Sequence, residues 1–226
     1  PLYSSAASDV YKRQALPIRV VISDMSITAP FIINDEALNV LFRDAHTTSA
    51  FEDTSIDPEV IKSVRDLIKW GPTSMNSQPL RIIEVPKDKR SRLVPHMMGS
   101  NQAKTEKAPL AFIMAADTNF HNNLPQQFPA GGNGPRDMYE NNEEARTAVA
   151  LQSANLQAAY FILGLRAVGL GVGPMGGFDA DAVTKEFLRD GEQAIMVIIA
   201  GVPADTDSHH ARGPRMGDAD VFRVAD

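Results

Sequence analysis

Between Glu143 and Val168 apolar residues occupy nearly the whole circumference of one helix, leaving no polar stripe for water. Such a helix is stable only when buried on most sides, so the rest of the chain must wrap it. Gly169 closes the segment. The continuous apolar run Pro109–Ala116 has the length of a strand and belongs near the centre of a sheet. Arg81–Val85 and Ala194–Gly201 read as further strands. One α/β or α+β domain with the long helix at its core is the default architecture.

Asn34 is placed to cap a helix whose apolar side is Leu38, Leu41 and Phe42, and Asp57-Pro58 opens a second with proline at its first position. Ile61, Val64, Leu67 and Ile68 give that second helix a buried face, and Gly71-Pro72 stops it, glycine permitting a left-handed cap. A polar helix is predicted over Lys87–Met98, short ones over Asn101–Lys107 and from Asp179 or Asp181, and a glycine-rich turn over Gly171–Gly177. Phe120–Asn141, rich in Pro, Gly and Asn, is too long for a simple connector and reads as a functional loop or lid.

At 226 residues, with 43% hydrophobic and 22% charged residues, the chain matches ordinary globular domains, and it carries no internal repeat. A formal charge of -6 and dispersed basic residues argue against nucleic-acid partners. The absence of cysteine excludes disulfides, thiolate metal sites and thiol nucleophiles, so any redox chemistry must be carried by a bound cofactor. No uninterrupted apolar run approaches the roughly 20 residues of a membrane span, and Ile18–Ile22 is too short for a signal sequence; a cytoplasmic enzyme is expected. Asp9–Gln14 is what a common sequencing adapter encodes when translated. Residues 1–24 are therefore expected to be a non-native or disordered extension, and 25–226 a single domain starting at Met25.

Three segments concentrate polar and glycine residues. Thr73, Ser74, Asn76 and Gln78 follow a helix stop, where loop geometry frees hydroxyl, amide and backbone donors; by itself the stretch also reads as a loop satisfying its own turns. Over Gly173-Pro174-Met175-Gly176-Gly177 the glycine spacing lets backbone approach a planar ring closely, and a plain helix-to-strand turn is the simpler alternative. Arg212 and Arg215 lie in a Gly/Pro-rich stretch, suited either to a fixed anion such as phosphate or to solvent. His209-His210 lacks further ligands at metal spacing and reads as exposed loop histidines, and no metal site is expected.

These segments resemble the nitroreductase family: Trp70–Arg81 is similar to its P-(S/T)-S-x-N-x-Q-P stretch, Gly173–Asp179 to its P-x-x-G-F turn, and Ala211–Arg215 to its basic C-terminal segment. Within that family the branch reducing malonic semialdehyde to 3-hydroxypropionate looks nearest, through Lys69–Ser74, Asn119–Pro129, Gln157–Tyr160 and Gly173–Asp179. The resemblance implies an α+β fold with a central, mostly antiparallel sheet flanked by helices, acting as a homodimer. It implies flavin mononucleotide (FMN) as cofactor, NADPH or NADH as hydride donor, and a small carbonyl or nitro substrate, with neither nucleic acid nor membrane as partner. A general nitroreductase or quinone reductase, and a flavin-binding protein without turnover, are the alternatives.

By the same resemblance the cofactor is bound by His46, Thr47, Ser49, Thr73, Ser74, Asn76, Gln78, Lys104, Pro174, Met175, Gly176, Gly177, Arg212 and Arg215, with the Gly176 and Gly177 amides near flavin N5. His46 departs from the family, in which an arginine at or beside this position holds the phosphate; histidine is a weaker, pH-dependent substitute. Phe120, Phe128 and Arg136 are the expected substrate contacts, Arg136 meeting a carboxylate. No residue stands out as a catalytic acid or base.

Overall fold

The helix signalled by Asp57-Pro58 forms as α1, Pro58–Ile68, in a computed structural model describing residues 31–205 and 209–225. The Asp57 side chain accepts from the Glu59 N–H at 2.9 Å, satisfying one of the donors a helix start leaves open. There follow β1, Leu80–Glu84; α2, Asn101–Lys107; β2, Leu110–Asp117; α3, Glu143–Ala167; β3, Gly171–Met175; α4, Ala180–Phe187, capped by Asp179; and β4, Glu192–Gly201. The chain divides into Pro1–Asn34, of which only the irregular stretch 31–34 is described, and Asp35–Asp226, which holds all these elements. The extension expected at 1–24 lies outside the described residues.

The sheet runs β1-β2-β4-β3 and is antiparallel throughout. Strand alternation splits its side chains between two layers. Leu110, Phe112 and Met114 of β2, with Ile198 and Ala200 of β4, pack against Ile61, Val64, Phe161 and Leu165 of α1 and α3. Ala111, Ile113, Val197 and Ile199 face the opposite way, towards Leu93, Met97 and Val183. Both faces of β2 are thus covered, which is why its sequence is continuously apolar.

Helices α1 and α3 approach at Gly164, where an added Cβ would lie 2.7 Å from Ile68 and 2.9 Å from Val64. Gly71 is likewise needed for contact: its Cβ would meet the Tyr160 ring at 3.1 Å, and the residue is not among those with positive φ, so the expected left-handed cap is not formed. Leu67, expected in the buried face of α1, is 58% exposed. Buried Arg90 braces the second layer by donating to the carbonyls of Val85, Thr105 and Ala108 at 3.1, 2.7 and 3.0 Å. Burial lowers its pKa below the usual guanidinium range, with Glu84 opposing.

Four further expectations are corrected. Gly171–Met175 is an edge strand instead of a turn; Pro174 is tolerated there because an edge strand has unpaired positions. Lys87–Met98 breaks into three short helical turns, with Pro95 at the start of the last. The segment read as a lid folds into short helical pieces, among them Leu124–Gln127 and Gly134–Glu140, and buries Phe120, Leu124 and Tyr139 against Ala150 and Ala154 of α3. Finally, α3 is less covered than its composition predicts: Leu156 and Tyr160 remain 46% and 40% exposed. By length and composition alone α3 could cross a membrane, but here it lies on the sheet, where Ser153 and Gln157 bond the backbone of Ser74 and Leu80.

Candidate cofactor site

Beyond β3 the segment Thr47–Ser49 lies against the sheet edge, the Thr48 N–H donating to the Val172 carbonyl at 2.9 Å. Glycine makes this possible: a Cβ on Gly173 would stand 2.5 Å from the Thr48 carbonyl oxygen, and one on Gly171 would stand 2.6 Å from Thr48 Oγ1. Gly171 admits the Thr48 and Pro203 side chains and Gly173 the Thr48 backbone, not the planar ring expected of Gly173. Their close approach brings Thr47 and Ser49 beside Lys104, Pro174, Met175 and Gly176 in a cleft of about 230 Å³. Gly176 differs from its neighbours, since a Cβ there would meet nothing within 4 Å. Gly177 is tied down, its carbonyl accepting from Met98 N–H at 2.9 Å and Asn101 Nδ2 at 3.2 Å.

A second cleft of about 300 Å³ shares Thr47, Ser49 and Lys104 with the first and extends to His46, Arg166, His210, Arg212 and Arg215. Four permanent cations line it, and among the described residues no carboxylate does. Arg212 staples the C-terminal segment to residues 43–45, upstream of α1, its Nη2 donating to the carbonyls of Arg43 and Ala45. The same Nη2 stands 3.4 Å from His46 Nε2, a contact that needs this nitrogen unprotonated. His209, an exposed loop histidine as expected, sets its ring beside that of His46 with centroids 4.2 Å apart and planes tilted by 38°. Arg215 donates to the carbonyls of Gly213 and Pro214. Arg166, Asn101 and His210 were not among the expected site residues. The legible signal for Arg166 was its isolation, as the sole charge between 147 and 167 in an otherwise apolar helix.

The loop Thr73–Gln78 lies elsewhere. Met75, Asn76 and Gln78 all have φ between 44° and 53°, a left-handed backbone that non-glycine residues adopt at a cost of order 1–3 kcal/mol each. Much of its bonding is internal: Gln78 N–H donates to Thr73 Oγ1, and Gln78 Nε2 to Asn76 Oδ1 at 3.0 Å. Asn76 Nδ2 reaches the Gln127 carbonyl at 2.9 Å, and Ser74 N–H reaches Ser153 Oγ at 3.3 Å. Ser153 and Arg166 are 13 residues apart on α3, about 20 Å at 1.5 Å per residue. The loop precedes β1 at one edge of the sheet, and the cationic cleft is joined through Thr47, Ser49 and Lys104 to the cleft lined by β3 at the other, so one chain does not bring the two groups together.

The expected substrate contacts are also dispersed. Phe120 is 1% exposed and packs edge-on against Tyr139, so it presents no face to a substrate. Phe128 is half-buried beside Gly131, whose missing Cβ would lie 2.8 Å from its ring. Arg136 Nη2 lies 3.4 Å from Glu140 Oε2, which already supplies it with a carboxylate within the protein.

A model of the nitroreductase family matches residues 43–202. A protein of Streptomyces griseus, provisionally named an NADH dehydrogenase/NAD(P)H nitroreductase, is 41% identical over 192 residues, 84% of this chain and 97% of its own. A Streptomyces coelicolor protein of like name is 41% identical over 186 residues, 82% of this chain and 94% of its own. Among solved structures, the nitroreductase-like ydfN of Bacillus subtilis superposes with a TM-score of 0.76 at 21% identity, covering 85% of this chain and all of the other. A nitroreductase-like protein of Exiguobacterium sibiricum, solved in complex with FMN, gives 0.72 at 18% identity, covering 87% and 100%.

Proposed function

We propose, for a chain that belongs to the nitroreductase family, that the two joined clefts hold FMN and that the protein is an FMN-dependent NAD(P)H oxidoreductase. The observation that carries this reading is the cleft lined by Lys104, Arg166, Arg212 and Arg215 with no carboxylate among the described residues, opening into a cleft beside Gly176 whose one charged lining residue is Lys104. Uncompensated cations in a concave site call for an anion. The cleft beside Gly176, unobstructed there, suits a flat ring approaching backbone. The donor set therefore fits a flavin phosphate at one end and a ring at the other.

When bound, FMN supplies hydride transfer between NADPH or NADH and a small acceptor. The protein's part is to bind and orient. Lys104, Arg212 and Arg215 are assigned to the phosphate, with His46 beside them; Thr47 and Ser49 are assigned to the intermediate polyol; Pro174, Met175, Gly176 and Gly177 are assigned to the ring. Lys104, shared by both clefts, can also favour negative charge on the ring.

The site is composite on this proposal: Thr73, Ser74, Asn76 and Gln78 of one subunit complete the cleft of its partner. The strained loop at the far edge of the sheet supports it, as do the exposed apolar residues Trp70, Leu156 and Tyr160 near that loop. The C-terminal Met216, Val221, Phe222 and Val224, 71–79% exposed, form a second uncovered set that a partner would bury. The acceptor is assigned as a small carbonyl or nitro compound, and malonic semialdehyde, favoured by the four sequence segments, is its most specific form.

The test begins with the visible spectrum of the purified protein and the flavin released on denaturation. The expected result is FMN, bleached rapidly by NADPH or NADH without oxygen. Flavin that binds but is not reduced would leave a binding protein and overturn the enzyme. Comparing turnover of malonic semialdehyde, a nitroaromatic and a quinone decides the substrate.

A further inference from the structure

Arg166 sits in the last turn of α3, a rigid 25-residue element, whereas Arg212 and Arg215 sit on an exposed irregular segment. Its guanidinium is half-buried, and burial, followed by repulsion from Arg212, pushes its pKa below the ordinary arginine range. Its Nη1 reaches one backbone acceptor, the Leu41 carbonyl, at a long 3.4 Å. Among the described residues no carboxylate forms an ion pair with it; Asp44 shares only the adjoining cleft, which Arg166 also lines. A partly desolvated cation that shares a cleft with other cations is costly unless an anion joins them. The carbonyl end of α3, with Gly169 and Leu170, lines that adjoining cleft and would repel a nearby phosphate. Arg166 lines both clefts, between this negative helix end and the cationic site.

The geometry points to Arg166 as a phosphate ligand of the bound flavin, supplying from the core helix the fixed guanidinium that His46 does not provide. The inference rests on the FMN reading above. It differs from a purely structural role, in which a cation at a helix end steadies the fold, because only a phosphate ligand distinguishes FMN from riboflavin. Its rigid backbone limits the ordering cost of that contact, and its planar fork suits phosphate oxygens.

The experiment follows flavin release by fluorescence on dilution of wild type, Arg166→Gln and Arg166→Lys, each loaded with FMN or with riboflavin. Arg166→Gln is expected to release FMN roughly 10- to 100-fold faster, as for loss of a hydrogen bond to a charged group, and riboflavin at the wild-type rate. Arg166→Lys, retaining charge without the fork, should fall between and serves as the readout if the glutamine variant does not fold. Equal acceleration of both flavins, or of neither, overturns the role of Arg166 while leaving FMN binding intact. A wild-type protein that binds no flavin overturns the FMN reading itself and this inference with it.

Discussion

A Cβ on Gly173 would lie 2.5 Å from the Thr48 carbonyl oxygen, side chain against backbone, so the chain itself would have to move. Gly173→Ala is expected to release Thr47–Ser49 from the edge of β3 and to lower FMN loading, while core packing elsewhere survives; fluorescence titration with FMN checks this, and unchanged loading would show that the segment is not part of the site. His121 is a separate case. It is 3% exposed, its Nδ1 has no partner, and Nε2 stands 3.5 Å from Glu140. Burial, then Arg146 and Arg136, lower its pKa, with Glu140 and Asp117 opposing. The native state thus binds fewer protons than the unfolded chain just below the unfolded value of about 6.5. Stability from this residue is complete above that value and is lost as pH falls towards the depressed native one. His121→Leu should therefore show a shallower fall in Tm between neutral and mildly acid pH than wild type; parallel curves would refute the coupling.

At the scale of elements, the contact of α1 with α3 depends on Gly164. Gly164→Val adds a branched side chain where even one carbon would lie 2.7 Å from Ile68 and 2.9 Å from Val64. Overpacking of this kind costs about 1–3 kcal/mol, which exceeds the helix-propensity gain over glycine of a few tenths of a kcal/mol. Chemical denaturation should show the loss; a Gly164→Val protein as stable as wild type would mean that the two helices separate at little cost. The elements read most directly from sequence were those with local signatures: Asp57-Pro58 opened α1, the first of the two candidates Asp179 and Asp181 capped α4, and the apolar run of β2 became a central strand. Strand β3 escaped because its glycines answer to Thr48 across the edge, a contact that strand propensity does not encode. The segment after Phe120 was misjudged for the converse reason, since Pro and Gly there punctuate short helices packed on α3.

For the whole molecule, the exposed apolar face of α3 and the separation of the two polar groups make dimerisation a condition of the proposed chemistry. Leu156→Arg places a charge on this face at a position already 46% exposed, so the isolated fold should tolerate it. Sedimentation is expected to show a dimer for wild type and a monomer for the variant, with flavin affinity lost in parallel. A wild-type monomer that retains FMN would place the complete site in one chain and sink the composite arrangement.

The apolar circumference of α3, the continuous apolar run of β2 and the helix start at Asp57 were determined by the sequence alone, because each depends on neighbours within a few residues along the chain; for α4 the sequence offered Asp179 or Asp181 and the structure uses Asp179. The family resemblance also named Lys104, Arg212 and Arg215, though not the cleft they share. Only the tertiary structure decided that Arg166 joins them, that Gly171 and Gly173 serve Thr48, and that Phe120 belongs to the core. Those relations depend on which element ends meet in space. Periodicity reports the buried face of a helix or strand, but it carries no record of what lies beyond its last residue.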